Sequence, residues 1–140
     1  LIAFTGEEAG FVGSQHFANN APIALNKIRG LLNLDMISRG EPNTIFLEGA
    51  PDAPRINMAI VRANAQIDLH IIRNAHPDWL YRSDQAPFIE KNVPAVFFSV
   101  EDHEDYHRVS DHADKILPEL ATKTTQLVFL TAIDLARPVP

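Results

Sequence analysis

The 140 residues predict an α/β layered domain, and three observations carry that prediction. Residues 28–37 (Ile-Arg-Gly-Leu-Leu-Asn-Leu-Asp-Met-Ile) and 94–100 (Pro-Ala-Val-Phe-Phe-Ser-Val) are near-continuous apolar runs, the pattern of strands covered on both faces. Residues 54–66 carry Ile56, Ala59, Ile60 and Ala63 at helical spacing, and residues 117–135 carry Leu120, Leu127, Leu130 and Ile133 in an amphipathic pattern. Strand-like and helix-like segments alternate along the chain, which is how helices come to be layered on a sheet.

In chain order, residues 1–5 read as a short apolar strand leading into a Gly-flanked turn with two adjacent acids, Gly6-Glu7-Glu8-Ala9-Gly10. Phe11, Phe17 and Ala18 give residues 10–20 a helical face that stops at Asn19-Asn20 and Pro22. The apolar run 28–37 follows as the second strand. Gly40-Glu41-Pro42-Asn43 is turn chemistry, and 44–47 is a third strand. Pro54 opens a helix, since its fixed φ suits a first helical position. Residues 69–72 form a short strand, after which a polar loop (His76-Pro77-Asp78-Trp79) leads to Ser83-Asp84, a plausible N-cap. Strand 94–100, an acidic His-bearing loop over 101–115 and the closing helix 117–135 complete the order.

Composition narrows the function. A formal charge of −6 and a pI near 5.4 argue against a binder of nucleic-acid phosphates, which needs a basic face. No apolar run approaches the roughly 18–20 residues of a membrane-spanning helix. With no cysteine there are neither disulfides nor thiolate ligands, so any metal must be held by His and carboxylate. The chain opens without Met and directly on an apolar run, which reads as the C-terminal portion of a longer protein.

The chemistry-bearing residues fall just beyond apolar strands: Glu7 and Glu8 after 1–5, Asp35 within Asn33-Leu34-Asp35-Met36, and His107 beyond 94–100. Sites in open α/β sheets collect at the carboxyl ends of strands. Adjacent side chains on an extended or turning backbone point in different directions, so one of the Glu pair can bind a metal while the other faces substrate. Zinc accepts such nitrogen and oxygen ligands, and a carboxylate beside an attacking water can take its proton. Simpler readings stand beside these. Adjacent acids are common on solvated surfaces, and an acid at a strand end is often only a cap. An acid inside so apolar a run as that around Asp35, however, must be paired, coordinated or neutral if buried. His103 and His107 have the four-residue spacing of a helical metal pair, and His112 shares their loop. Trp79 and Tyr81 stand in a loop suited to a substrate pocket.

Four motifs in one order carry a resemblance. Phe4-Thr5-Gly6-Glu7-Glu8-Ala9-Gly10-Phe11-Val12-Gly13-Ser14, Asn33-Leu34-Asp35-Met36, Arg82-Ser83-Asp84-Gln85-Ala86-Pro87-Phe88 and Asp105-Tyr106-His107-Arg108-Val109-Ser110-Asp111 together resemble the zinc aminopeptidases of peptidase family M28. The resemblance spans nearly the whole chain. It implies a three-layer α/β/α fold around a mixed, mostly parallel sheet, with residues 1–140 forming the C-terminal portion of one catalytic domain and its N-terminal strands missing. It implies Glu7 as general base, Glu8 and His107 as ligands of a first zinc and Asp35 as ligand of a second. Ser83 and Asp84 would support the ligands, and Tyr81 would stand near the substrate. Peptide or protein N-termini would be the substrates, and a periplasmic or secreted location is favoured.

The departures bear on activity. The family also uses a His and a bridging Asp from earlier in its chain, and nothing here substitutes for both. The 140 residues alone are therefore expected to bind zinc poorly and to be inactive. Gln85 stands where many relatives have His, which alters hydrogen bonding around the site without removing an assigned ligand. Missing strands would also leave a sheet edge able to pair with a second copy. Two other functions share the fold: a glutaminyl-cyclase-type zinc enzyme and a noncatalytic, peptidase-like interaction domain. The Gly6-Glu7-Glu8-Ala9-Gly10 and Asn33-Leu34-Asp35-Met36-Ile37 wording favours the peptidase.

Overall fold

A computed structural model describes residues 1–50 and 53–138. Four strands, β1 (Leu31–Leu34), β2 (Thr44–Gly49), β3 (His70–Arg73) and β4 (Ala95–Ser99), form one sheet in the order β1-β4-β2-β3. β1 pairs with β4 and β2 with β3 in parallel, while β2 and β4 run antiparallel, so the sheet is mixed and mostly parallel. Four helices accompany it: α1 (Val12–Asn19), α2 (Pro54–Ile67), α3 (Ala86–Ile89) and α4 (Pro118–Ala136).

Side-chain alternation sorts the sheet into two faces. Ile45 and Leu47 of β2, with Val96 and Phe98 of β4, pack against Ile56, Ala59 and Ile60 of α2 and Leu120 and Leu127 of α4. On the other face Phe88 of α3 and Phe17 of α1 meet Phe4 in a cluster of three rings whose centroids lie 5.9–6.0 Å apart. The result is three layers, helix–sheet–helix. Apolar positions on β4 are buried on both faces, which explains its continuous apolar sequence. Arg29 and Arg55 donate to the last carbonyls of α4, including Leu135 O and Arg137 O, and so satisfy acceptors that a helix C-terminus leaves unpaired.

Three expectations need correction. Residues 1–5 form no strand. Among the described residues β1 makes its ladder only with β4, so the segment gains no pairing partner, and its Phe4 is spent on the ring cluster. The strand expected over 28–37 is cut to Leu31–Leu34. Ile28 still closes a short 3-10 turn (Leu25–Lys27), and Met36 turns the chain with φ of 57°. Ser83 and Asp84 do not cap a long helix. α3 is a single turn whose N-cap position is Gln85, and the Ser83 hydroxyl is engaged elsewhere.

Candidate metal and catalytic site

β1 and β4 are parallel neighbours in register, Leu34 opposite Phe98, so their carboxyl ends open at the same edge of the sheet. Asp35 follows β1 directly, its N–H still bonded to Phe98 O at 3.1 Å. The loop that leaves β4 carries His103, Tyr106 and His107. The Glu7/Glu8 turn reaches the same place because backbone bonds fold it tightly: Phe11 N–H to Glu7 O, Val12 N–H to Gly6 O and Gly13 N–H to Thr5 O at 2.9, 3.1 and 2.8 Å. Gly13 is required here, since a Cβ would sit 2.6 Å from Thr5 N and 2.8 Å from Thr5 O.

These segments line one cleft of about 610 Å³. Of the residues singled out in the sequence, Glu7, Glu8, Asp35, Ser83, Asp84 and His107 all face it, as does Trp79; Tyr81 is half exposed and stands outside the lining. Glu8 Oε1 and His107 Nε2 meet at 2.9 Å, and the Tyr106 ring stacks on that of His107 at 3.9 Å. His107 adopts φ of 56°, a conformation uncommon outside glycine and enriched at functional positions. Glu7 has its carboxyl raised above the ordinary value, first by burial, then by the charges of Asp35, Glu8 and Asp84, with His107 acting in the opposite direction. Ser83 donates to Asp35 Oδ2 at 2.8 Å.

The donor set suits a borderline dication. Glu8, Asp35, Asp84 and His107 act on Glu7 within the cleft, and Asp84 Oδ1 is buried without a hydrogen-bond partner. Distance alone selects a different group among the described residues: His103, Asp105 and Asp111 have ligand atoms within 4.8 Å of one another. That trio is already neutralised. Arg39 binds both Asp105 and Asp111, and Lys115 Nζ lies 2.7 Å from Asp105 Oδ1. These ion pairs fasten the loop bearing His107 and leave little charge for a cation.

Arg82 and Tyr106 also line the cleft and were not anticipated from sequence as site residues; His103, which the sequence offered as the helical-spacing partner of His107, lines it too. Tyr106 could have been suspected from its place beside His107, but its stacking depends on the backbone turn at that histidine.

An open α/β sheet with an acidic, His-bearing cleft at the carboxyl ends of parallel strands has the layout of a metal-dependent hydrolase. The chain belongs to peptidase family M28, whose family model matches residues 1–132. Leupeptin-inactivating enzyme 1 of Streptomyces exfoliatus is 34% identical over 89 residues, which are 63% of this chain and 19% of that protein. Among solved structures, the LapA aminopeptidase of Legionella pneumophila superposes with a TM-score of 0.77 at 22% identity, covering 98% of this chain and 38% of LapA. An aminopeptidase from Aneurinibacillus sp. strain AM-1 gives 0.77 at 23% identity, with 97% and 33% covered. The zinc aminopeptidase BSAP of Bacillus subtilis gives 0.75 at 20%, with 94% and 34% covered. These likenesses establish the shared fold, and the chain spans well under half of each relative.

Proposed function

We propose that this chain supplies the general base and part of the metal site of a zinc aminopeptidase. The observation that carries this reading is the convergence of Glu7, Glu8, Asp35, Asp84 and His107 on one cleft. Glu8 and His107 would hold one zinc and Asp35 a second. When bound, zinc would polarise the scissile carbonyl and acidify a water molecule.

The remaining work falls to the protein's own groups. Glu7 takes the proton from the attacking water at a carboxylate oxygen and returns it to the nitrogen of the departing amine. Its surroundings raise its proton affinity in the direction a general base needs. The acidic cleft, with Asp84 and Asp102 at its wall, favours an ammonium group, so a free peptide N-terminus is the matching substrate. The stack of Tyr106 on His107 limits rotation of the imidazole.

The 140 residues contribute too few ligands to hold two ions tightly, so activity belongs to a longer protein that adds the remaining His and Asp. The test compares a peptide with a free N-terminus and its N-acetylated form, in the zinc-loaded longer protein. Cleavage of the free form alone is expected, lost on chelation and reduced about 10²–10⁴-fold by Glu7→Gln. Equal cleavage of both forms would overturn the exopeptidase reading, and cyclisation of an N-terminal glutamine without cleavage would favour the cyclase.

A further inference from the structure

The face of the sheet opposite α2 and α4 carries a chain of polar side chains that runs from the buried Gln85 through the half-buried Asn33 and the buried Ser83 to Asp35. Gln85 is fully buried, and its Nε2 lies 2.8 Å from Trp79 O and 3.2 Å from Leu80 O. Its Oε1 lies 2.8 Å from Asn33 Nδ2, which is also 3.0 Å from Ser83 Oγ. Ser83, itself 2% exposed, then reaches Asp35 Oδ2 at 2.8 Å.

The chemistry of these groups permits one direction only. Backbone carbonyls cannot donate, so the Gln85 atom facing Trp79 and Leu80 must be the NH2, and its carbonyl must accept from Asn33. Asn33 then presents its NH2 to both Gln85 and Ser83; the flipped amide would set oxygen against oxygen. Ser83 accepts from Asn33, which leaves its single hydroxyl proton for Asp35 Oδ2.

We infer that Asn33 and Gln85 are positioning residues that aim the Ser83 proton at Asp35 Oδ2, through a hydrogen-bond chain anchored on the carbonyls of Trp79 and Leu80. This inference rests on the reading of Asp35 as a metal ligand. With Oδ2 committed to the hydroxyl, the carboxylate is held in one rotamer and Oδ1 is the oxygen left for the cation. Outer partners of this kind typically change metal affinity 10–100-fold when removed. The chain also explains how Gln is accommodated after Ser83-Asp84: its amide nitrogen donates to the carbonyls of Trp79 and Leu80, bonds that a smaller side chain would not make.

Two measurements test it separately. In the 140-residue chain, nuclear magnetic resonance reads exchange of the side-chain amide protons of Asn33 and Gln85. Both sets should exchange at least about tenfold more slowly than those of exposed amides, since Gln85 is buried and both amides are hydrogen-bonded. Gln85→Leu should release the Asn33 protons, whereas Ser83→Ala should leave those of Gln85 protected. Fast exchange in the wild type, or Asn33 protons unaffected by Gln85→Leu in a variant that still folds, would overturn the chain.

In the zinc-binding longer protein, cobalt affinity and its absorption spectrum are compared for Asn33→Asp, Ser83→Ala and the double variant. Asn33→Asp removes the donor and turns the Ser83 proton toward residue 33, so affinity should fall about tenfold. It should cost little once Ser83 is Ala. Equal losses with and without Ser83 would overturn the positioning role. Asp35→Asn with unchanged cobalt affinity would instead sink Asp35 as a ligand and the role of the relay with it, whatever the amide protons show.

Discussion

Two carboxyl groups near the cleft respond to pH in opposite senses. Asp105 is held well below its usual value of 3.8 by hydrogen bonds from Lys115, then Ser110, then Arg39. A depressed acid contributes stability that is complete above its unfolded value and fades as pH falls toward its folded value. Urea unfolding should therefore show Asp105→Asn less stable than wild type at pH 6, with the gap closing progressively below about pH 4. Glu7 behaves conversely, because its proton is held more tightly in the folded protein. Its ionisation costs stability as pH rises past 4.5 and through the raised value. In chelated buffer, Glu7→Gln should raise the melting temperature at pH 7 and leave it unchanged at pH 4; destabilisation at pH 7 would contradict the crowding of carboxylates around it. Glu7, Glu8, Asp35 and His107 were legible as residue types. The neutralising role of Arg39 was not, because it depends on a contact with Asp105, 66 positions away.

At the scale of elements, strands buried on both faces were easiest to read. β4 lies between two layers, so every position in it is apolar or small and its run stands out from the polar sequence around it. Helices α2 and α4 were equally plain from their spacing, and Pro begins each of them. Residues 1–5 misled because an apolar run signals burial, whereas here only Phe4 is drawn in, partly buried in the ring cluster, and Leu1 and Ile2 stay exposed. Gly49 lies where β2 passes close to β4: with φ of 107° it packs so that an added Cβ would sit 2.4 Å from Ala95 O. Gly49→Ala should cost about 3 kcal/mol by combining backbone strain with overpacking. Chemical denaturation would measure this, and a loss under 1 kcal/mol would mean that the two strands separate easily.

For the molecule as a whole, the sheet has an unbalanced edge. Among the described residues β1 pairs on one side only, and beside it Leu32, Leu34, Val128 and Phe129 line an apolar groove. An unpaired strand edge next to apolar surface invites pairing with another chain. The 140-residue protein should self-associate as its concentration rises, measured by light scattering, and a monomer at every concentration would count against it. No helix among the described residues is long and apolar enough to cross a membrane.

The most direct test of the metal-site reading is zinc content and leucine-p-nitroanilide hydrolysis, measured side by side on the 140-residue chain and on a longer protein that contains it. The account predicts about two zinc ions and activity in the longer protein, neither in the chain alone, and loss of activity with zinc retained on Glu7→Gln. A longer protein without zinc or hydrolysis, or one whose hydrolysis survives Glu7→Gln, would contradict it.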